Sequence, residues 1–478
     1  MLPVDANQRH LKTIAYVAFA GMGALFILGI IFYKERVLFA DASYVVFNII
    51  NSKSMMIQEK RYGSFITQMF PYLGQKFHLP LRSILVLYGI SFHLFFLSVS
   101  ATLVFGLKQY YMAILMSLYY FLFFSESFIW VNEIAQGTAW MFLLLAVLLY
   151  LGKKKVNFFL QLLLLIPLSI LTIFTHFIVI MPLGFLLVYL ILEKNIWPFS
   201  TTKTILLGSI LMLVMIIKFA STNTSYDTER LQWITNFSLH DVINSFQTPV
   251  VQTFLGRCIT NYWLGMLVFI VSIASLLLNR KRIQALWTLI STVGYIVIMG
   301  LAYRDLDANA QLLHIESEWS CIAIIIATPF VLTFLPGLKA LIAAGILSVI
   351  FIIRLAYIIT FIMPFRVRNI VEEQILTQMK NKGITKLALY NDPHLMTLFR
   401  LPWALSYETI MASAIDDYKP QLTFFFINPN DKDLMEKTKA TKGVYDAWNM
   451  VPANNLDKEY FSIDTGSYRI MSYTDFLK

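Results

Sequence analysis

The stretch TIAYVAFAGMGALFILGIIFY, residues 13–33, runs for 21 positions without a charge. As a helix it is long enough to cross a hydrocarbon core of about 30 Å. It is too long for a signal peptide and no small-residue cleavage site follows it, so it reads as a retained first span. The rest of the chain repeats this pattern. Of 478 residues, 58% are hydrophobic and 14% charged, far too apolar for a protein that covers itself with a water-facing surface. Further apolar segments fall at 83–107, 110–124, 138–151, 156–175, 177–192, 204–219, 263–278, 283–302, 319–335 and 340–363, which makes eleven predicted spans.

The basic residues orient these spans. With the N-terminus in the cytoplasm, the inner segments hold Arg9, Lys12, Lys108, Lys153, Lys154, Lys155, Lys194, Lys203, Arg280, Lys281, Arg282 and Lys339. The short outer loops hold only Arg230, Arg257 and Arg304, the asymmetry expected of a positive inside. The long first outer loop, residues 34–82, is richer in Lys and Arg, but long loops follow the rule less closely. Topology accounts for the net charge of +10 better than a nucleic-acid partner does, because the charges scatter over inner loops and tail. Cys258 and Cys321 fall near outer span ends and read as two buried thiols rather than a bridge.

After Met363 the composition changes, with 14 basic and 14 acidic residues in 115 positions. NIVEEQILTQMKNKG reads as a helix ending on a glycine; ITKLALY, LTFFFIN and SYRIMSY read as strands, with YETIMASAI as a helix between them. The expected organisation is therefore a transmembrane domain, 1–364, and a small α/β domain, 365–478, placed on the outer face by an odd span count. No GxxxxGK[ST], GxGxxG, CxxC or HExxH motif occurs, so nothing marks a nucleotide motor, a dinucleotide site or a zinc site.

Acidic residues carry the functional signal. Of the fourteen up to residue 364, twelve fall on the predicted outer side, where each taken singly is an ordinary solvated loop residue. Their grouping says more. Asp41 follows the first span within ERVLFADASYVVFNII; Glu126 and Glu133 bracket the turn SESFIWVNEIAQ; Asp305, Asp307, Glu316 and Glu318 crowd YRDLDANAQLLHIESEW beside Arg304 and His314. Carboxylates from separate loops are thus expected to converge at one membrane face. The last of these loops has the composition to bind a sugar hydroxyl or a cation, or to pair internally. DASYVVFNIINSKSMMIQ and YGSFITQMFPYLGQKF mix apolar and polar residues at helical spacing, as helices lying in the interface with their apolar side in lipid would. His176, in FTHF, has no room for a real loop around it and faces a headgroup, a phosphate or a carbonyl. Arg354 sits mid-span in SVIFIIRLAYIIT, where a charge costs ~2.5–3.5 kcal/mol and calls for an acidic or phosphate partner, whether functional or structural.

This layout resembles the GT-C superfamily of membrane glycosyltransferases: the Asp41 loop after span one, two interfacial segments, tight outer turns at SESFIWVNEIAQ and FTHF, and a C-terminal domain outside. The resemblance covers most of residues 10–364 and is architectural. It implies an inverting transfer of a sugar from a polyprenyl-phosphate donor to a glycan, lipid or protein acceptor, at the outer face of a bacterial inner (plasma) membrane. Asp41 would be the general base, Glu126 or Glu133 a second acid, and Arg354, His176 or Arg304 the donor-phosphate ligands. A divalent cation, Mg or Mn, is left open as cofactor. Many members carry two adjacent acids in the first loop, whereas Ala42 and Ser43 follow Asp41 here. Three other classes compete. A transporter or flippase would be marked by paired broken helices in matching halves. A polysaccharide polymerase or ligase would use the late loop at 220–262, and a non-enzymatic assembly subunit would bind a partner through its tail.

Overall fold

The computed structural model describes residues 4–478 apart from 194, 223–227, 229–231, 233, 305, 307–311, 441 and 446–449. The chain is a helical, multi-pass membrane protein. All eleven apolar segments are helical, but among the described residues eight helices are long and apolar enough to cross a membrane, or nine if Leu239–Thr260 and Trp263–Leu278, bent by 86° at their junction, make one span. The difference from eleven lies mainly in two short helices, Tyr110–Leu122 and Phe177–Leu192. At 1.5 Å per residue the 13 residues of Tyr110–Leu122 reach about 20 Å, short of the hydrocarbon thickness. Every residue of that helix is buried, so its uninterrupted apolar sequence reflects a place at the centre of the bundle. Thr201–Ala220 is the opposite case: Ile205, Leu213 and Ile216 are exposed along it, as suits a helix on the lipid-facing perimeter.

The first helix, Val4–Ile31, packs on Leu81–Ala101, on Tyr110–Leu122 and on the 42-residue helix Ala340–Asn381. Its approach to the last of these is close enough that a methyl at Gly21 would lie 2.7 Å from the Phe351 ring. Cys258 and Cys321 are buried free thiols.

Ala340–Asn381 runs through residue 364 without a break and ends at Gly383, whose φ of +63° supplies the left-handed residue that stops a helix. Beyond it, β1 (Lys386–Tyr390) lies between β2 (Thr423–Ile427) and β5 (Arg469–Met471) in a parallel sheet, order β2-β1-β5. A separate antiparallel pair joins β3 (Gly443–Tyr445) to β4 (Met450–Pro452). The Leu405–Ile415 helix covers β2 and turns Tyr407, Ile410 and Met411 into the same core as the membrane helices.

The first-loop helices are present as Ala40–Ser52 and Phe65–Lys76, with a correction to where the apolar face of the first goes. Phe47 stacks on Tyr407 at 4.4 Å between ring centroids and packs on Phe461 at 4.9 Å, so Ala40–Ser52 buries its apolar side against the C-terminal part instead of lipid.

Candidate active site

A cavity of about 460 Å³ opens where Ala40–Ser52, the N-terminus of the Glu133–Lys153 helix, the FTHF turn and the Leu312–Trp319 helix meet. Asp41, Glu133, His176, His314, Glu318 and Arg61 line it, with Trp130 and Trp403 as aromatic walls. Local sequence explains how each acid arrives. Asp41 stands in the first turn of its helix, where a carboxylate suits the unpaired N–H groups. Glu133 begins the next helix behind an Asn132 cap, whose side chain accepts the Ala135 N–H at 3.1 Å.

Asp41 is the perturbed group. Burial pushes its carboxyl up to about 7, the Glu133 carboxylate pushes the same way, and the Arg61 guanidinium opposes both. Glu133 itself is paired with Arg61 at 3.2 Å. His176 is buried, and burial together with Arg61, His314 and Lys218 holds its pKa well below the usual value. Its Nδ1 accepts the Ile178 N–H at 3.4 Å, which leaves Nε2 to carry the proton, 3.8 Å from Glu318 Oε1. His176 is therefore a neutral donor in this cavity.

The backbone under Asp41 is fixed from a distance. Ala40 has φ +42° and is fully buried, and its N–H donates to Glu408 Oε1 at 2.7 Å. The other Glu408 oxygen accepts from Arg368, which also donates to the Leu38 carbonyl at 3.4 Å and to Glu372 at 3.2 Å. All three charged side chains are buried, in a place where an unpaired charge would be costly.

Other expected site residues lie elsewhere. Glu126 faces away from the cavity, taking Arg257 at 3.2 Å and Arg400 at 2.6 Å. Glu316 accepts the backbone N–H groups of Ser125 (2.5 Å), Glu126 (3.0 Å) and Ser127 (3.4 Å), so it fastens a loop and is not placed to hold a sugar. Arg354 is spent on the Phe121, Phe124 and Asn261 carbonyls (2.8, 2.8 and 2.6 Å) and on Ser125 Oγ. Its partners are the unpaired carbonyls at the end of the Tyr110–Leu122 helix and the Asn261 carbonyl. Arg304 is not among the lining residues, and Asp305 and Asp307 lie outside the described residues. Among the described residues no three His, Cys, Asp or Glu side chains gather closely enough to hold a metal ion.

Sequence reasoning passed over Arg61, Glu408 and Arg368 as site residues and named Glu318 only as one acid of its loop. Glu318 carried a signal: it stands four residues after His314 in a helix, on the same face, whereas Glu316 is turned away. A second cavity, about 410 Å³, adjoins the first through Trp403 and is lined by Phe425, Tyr445, Asp431, Asp433 and Lys437. No family model, curated protein or solved structure matches this chain.

Proposed function

We propose that this protein is an inverting membrane glycosyltransferase of the GT-C kind, moving a sugar from a polyprenyl-phosphate-linked donor to an acceptor at the outer face of the membrane. The observation that carries the reading is the Asp41 carboxyl, poised near neutral pH in a cavity at the end of the first span, beside a second acid and a fixed guanidinium. A carboxyl with a pKa of about 7 is matched to taking a proton at physiological pH.

In this scheme the acceptor hydroxyl loses its proton to Asp41 as its oxygen bonds to the anomeric carbon. The bond from that carbon to the phosphate oxygen breaks on the opposite side, and the polyprenyl phosphate leaves with the electron pair. Glu133 holds Arg61 in place, and Arg61 faces the developing phosphate charge with its fork of donors. Neutral His176 and the aromatic walls Trp130 and Trp403 position the sugar ring. The adjoining cavity, with Asp431, Asp433 and Tyr445, receives the acceptor. An outer C-terminal part belongs to the same proposal.

The test is transfer of labelled sugar from a panel of polyprenyl-phosphate sugars by membranes holding wild type or Asp41→Asn at equal abundance. Loss of transfer of at least a hundredfold is expected. Full activity in Asp41→Asn would remove Asp41 from the mechanism.

A further inference from the structure

The opposite end of the bundle holds a smaller cavity that the transfer reaction does not use. Two helices place it there independently. Leu11 lines it while Asp41 follows the far end of the same first helix, and Lys153 lines it while Glu133 begins that same helix at the other cavity. Each pair is separated by about 20 helical residues or more, which is about 30 Å, one hydrocarbon thickness.

The volume is about 180 Å³, below the ~300–1,000 Å³ that encloses a whole soluble ligand. That size suits a head group rather than an entire metabolite. Its polar lining pairs two ammonium donors, Lys108 and Lys153, with the tyrosine hydroxyls and the Gln109 amide. Lys108 and Lys153 stand exposed at the rim, and neither has a hydrogen bond, ion pair or ring contact among the described residues. Glu193, an acid near this end, is already held by Lys281 at 2.5 Å. Tyr111 and Gln109 also line the cavity; both are more than nine-tenths buried, and the Tyr111 hydroxyl and Gln109 Oε1 have no hydrogen-bond partner. A buried hydroxyl left unpaired is uncommon, because it forfeits about 1–3 kcal/mol that a partner would recover.

The remaining wall is Tyr110 and five apolar residues, Leu11, Ile196, Val331, Leu332 and Pro336. Val331 and Leu332 belong to a π-helical turn, Phe330–Phe334, and Lys108 follows another, Thr102–Gly106. Such turns are rare and recur at binding sites. Two unpaired ammonium groups and a buried hydroxyl above an apolar wall match a phosphate esterified to acyl chains. We infer that this cavity is a binding site for the phosphate of an anionic lipid.

The site is independent of the sugar-transfer reading, and its test reads binding alone. Full-length wild type, Lys108→Gln/Lys153→Gln and Tyr111→Phe are purified from phosphatidylglycerol and, separately, from phosphatidylcholine, and retained lipids are counted by native mass spectrometry. Wild type is expected to keep one more phosphatidylglycerol than phosphatidylcholine. The double variant should lose that lipid at least tenfold, and Tyr111→Phe should lose it severalfold. Thermal protection of delipidated protein by inorganic phosphate is the second arm. Protection that the double variant lacks would keep the phosphate site and assign it to a soluble ion. The same retention and protection in wild type and double variant, or neither in wild type, would overturn the inference. The lysines are exposed, and gel filtration is the check that the variants fold.

Discussion

Asp41→Asn should raise stability at the same time as it removes transfer. An ordinary carboxyl titrates near 4, whereas burial holds that of Asp41 up at about 7. For an acid shifted in this direction the folded state favours the protonated form. The stability it contributes is present in full below the unfolded value near 4 and is lost as pH rises through about 7. About three pH decades at about 1.4 kcal/mol each give a ceiling of ~4 kcal/mol lost between pH 4 and pH 8. Water entering the cavity offsets part of this, so a loss of about 2–3 kcal/mol is expected. Asparagine has nearly the same shape and never ionises. The variant should therefore match wild type at pH 4 and below, begin to exceed it by pH 5, and melt about 2–5 °C higher at pH 8 in the same detergent, followed by intrinsic fluorescence. Wild-type transfer should rise with pH and level off above about 7, since the base must be deprotonated to act. A variant that melts lower than wild type at pH 8 would show that Asp41 is a well-paired anion, and the argument for a poised base would fail with it.

Two further outcomes follow from the same geometry. Glu408→Gln keeps an acceptor for the Ala40 N–H but removes the charge-assisted bond from the buried Arg368, which retains Glu372, so stability should fall by about 1.5–3 kcal/mol; transfer by the surviving folded fraction should drop while Asp41 is still present, and normal transfer per folded molecule would remove Glu408 from the positioning of Asp41. Arg354→Met should lower the melting temperature, because the Phe121, Phe124 and Asn261 carbonyls lose their donor; a weaker donor KM at unchanged melting temperature would restore Arg354 as a phosphate ligand.

Helical spans were readable because a charge-free run of about 20 residues has few alternatives in a chain this apolar. Their number was less readable, since Tyr110–Leu122 is as apolar as a span but owes this to burial on every side. The same limit governs the site. Asp41 and Glu133 were legible because both stand at helix starts beside a span, where local position nearly decides which way a carboxylate faces. Glu126, Glu316 and Arg354 were equally conspicuous, but their partners come from Arg257, Arg400 and the backbone at 121–125, and nothing local distinguishes a charge that lines the cavity from one that fastens a loop. Glu408 was out of reach altogether. Its contact with Ala40 spans 368 residues and joins segments of unlike composition.

That contact changes how the chain divides. A left-handed φ at a non-glycine residue such as Ala40 costs on the order of 1–3 kcal/mol and persists only where surrounding groups hold it. Here the holding groups are Glu408, from the α/β part, and Arg368, from the continuation of the last membrane helix. Phe47, one and a half turns beyond Asp41, is packed by Tyr407 and Phe461 from that same part. A chain ending at residue 364 would keep Asp41, Glu133 and Arg61, yet lose the carboxylate that captures the Ala40 N–H and the rings that seat the helix. The composition break after Met363 is thus no boundary of the cavity, which Leu401 and Trp403 also line. The carboxylate proposed as base is presented to the cavity by residues that come after it.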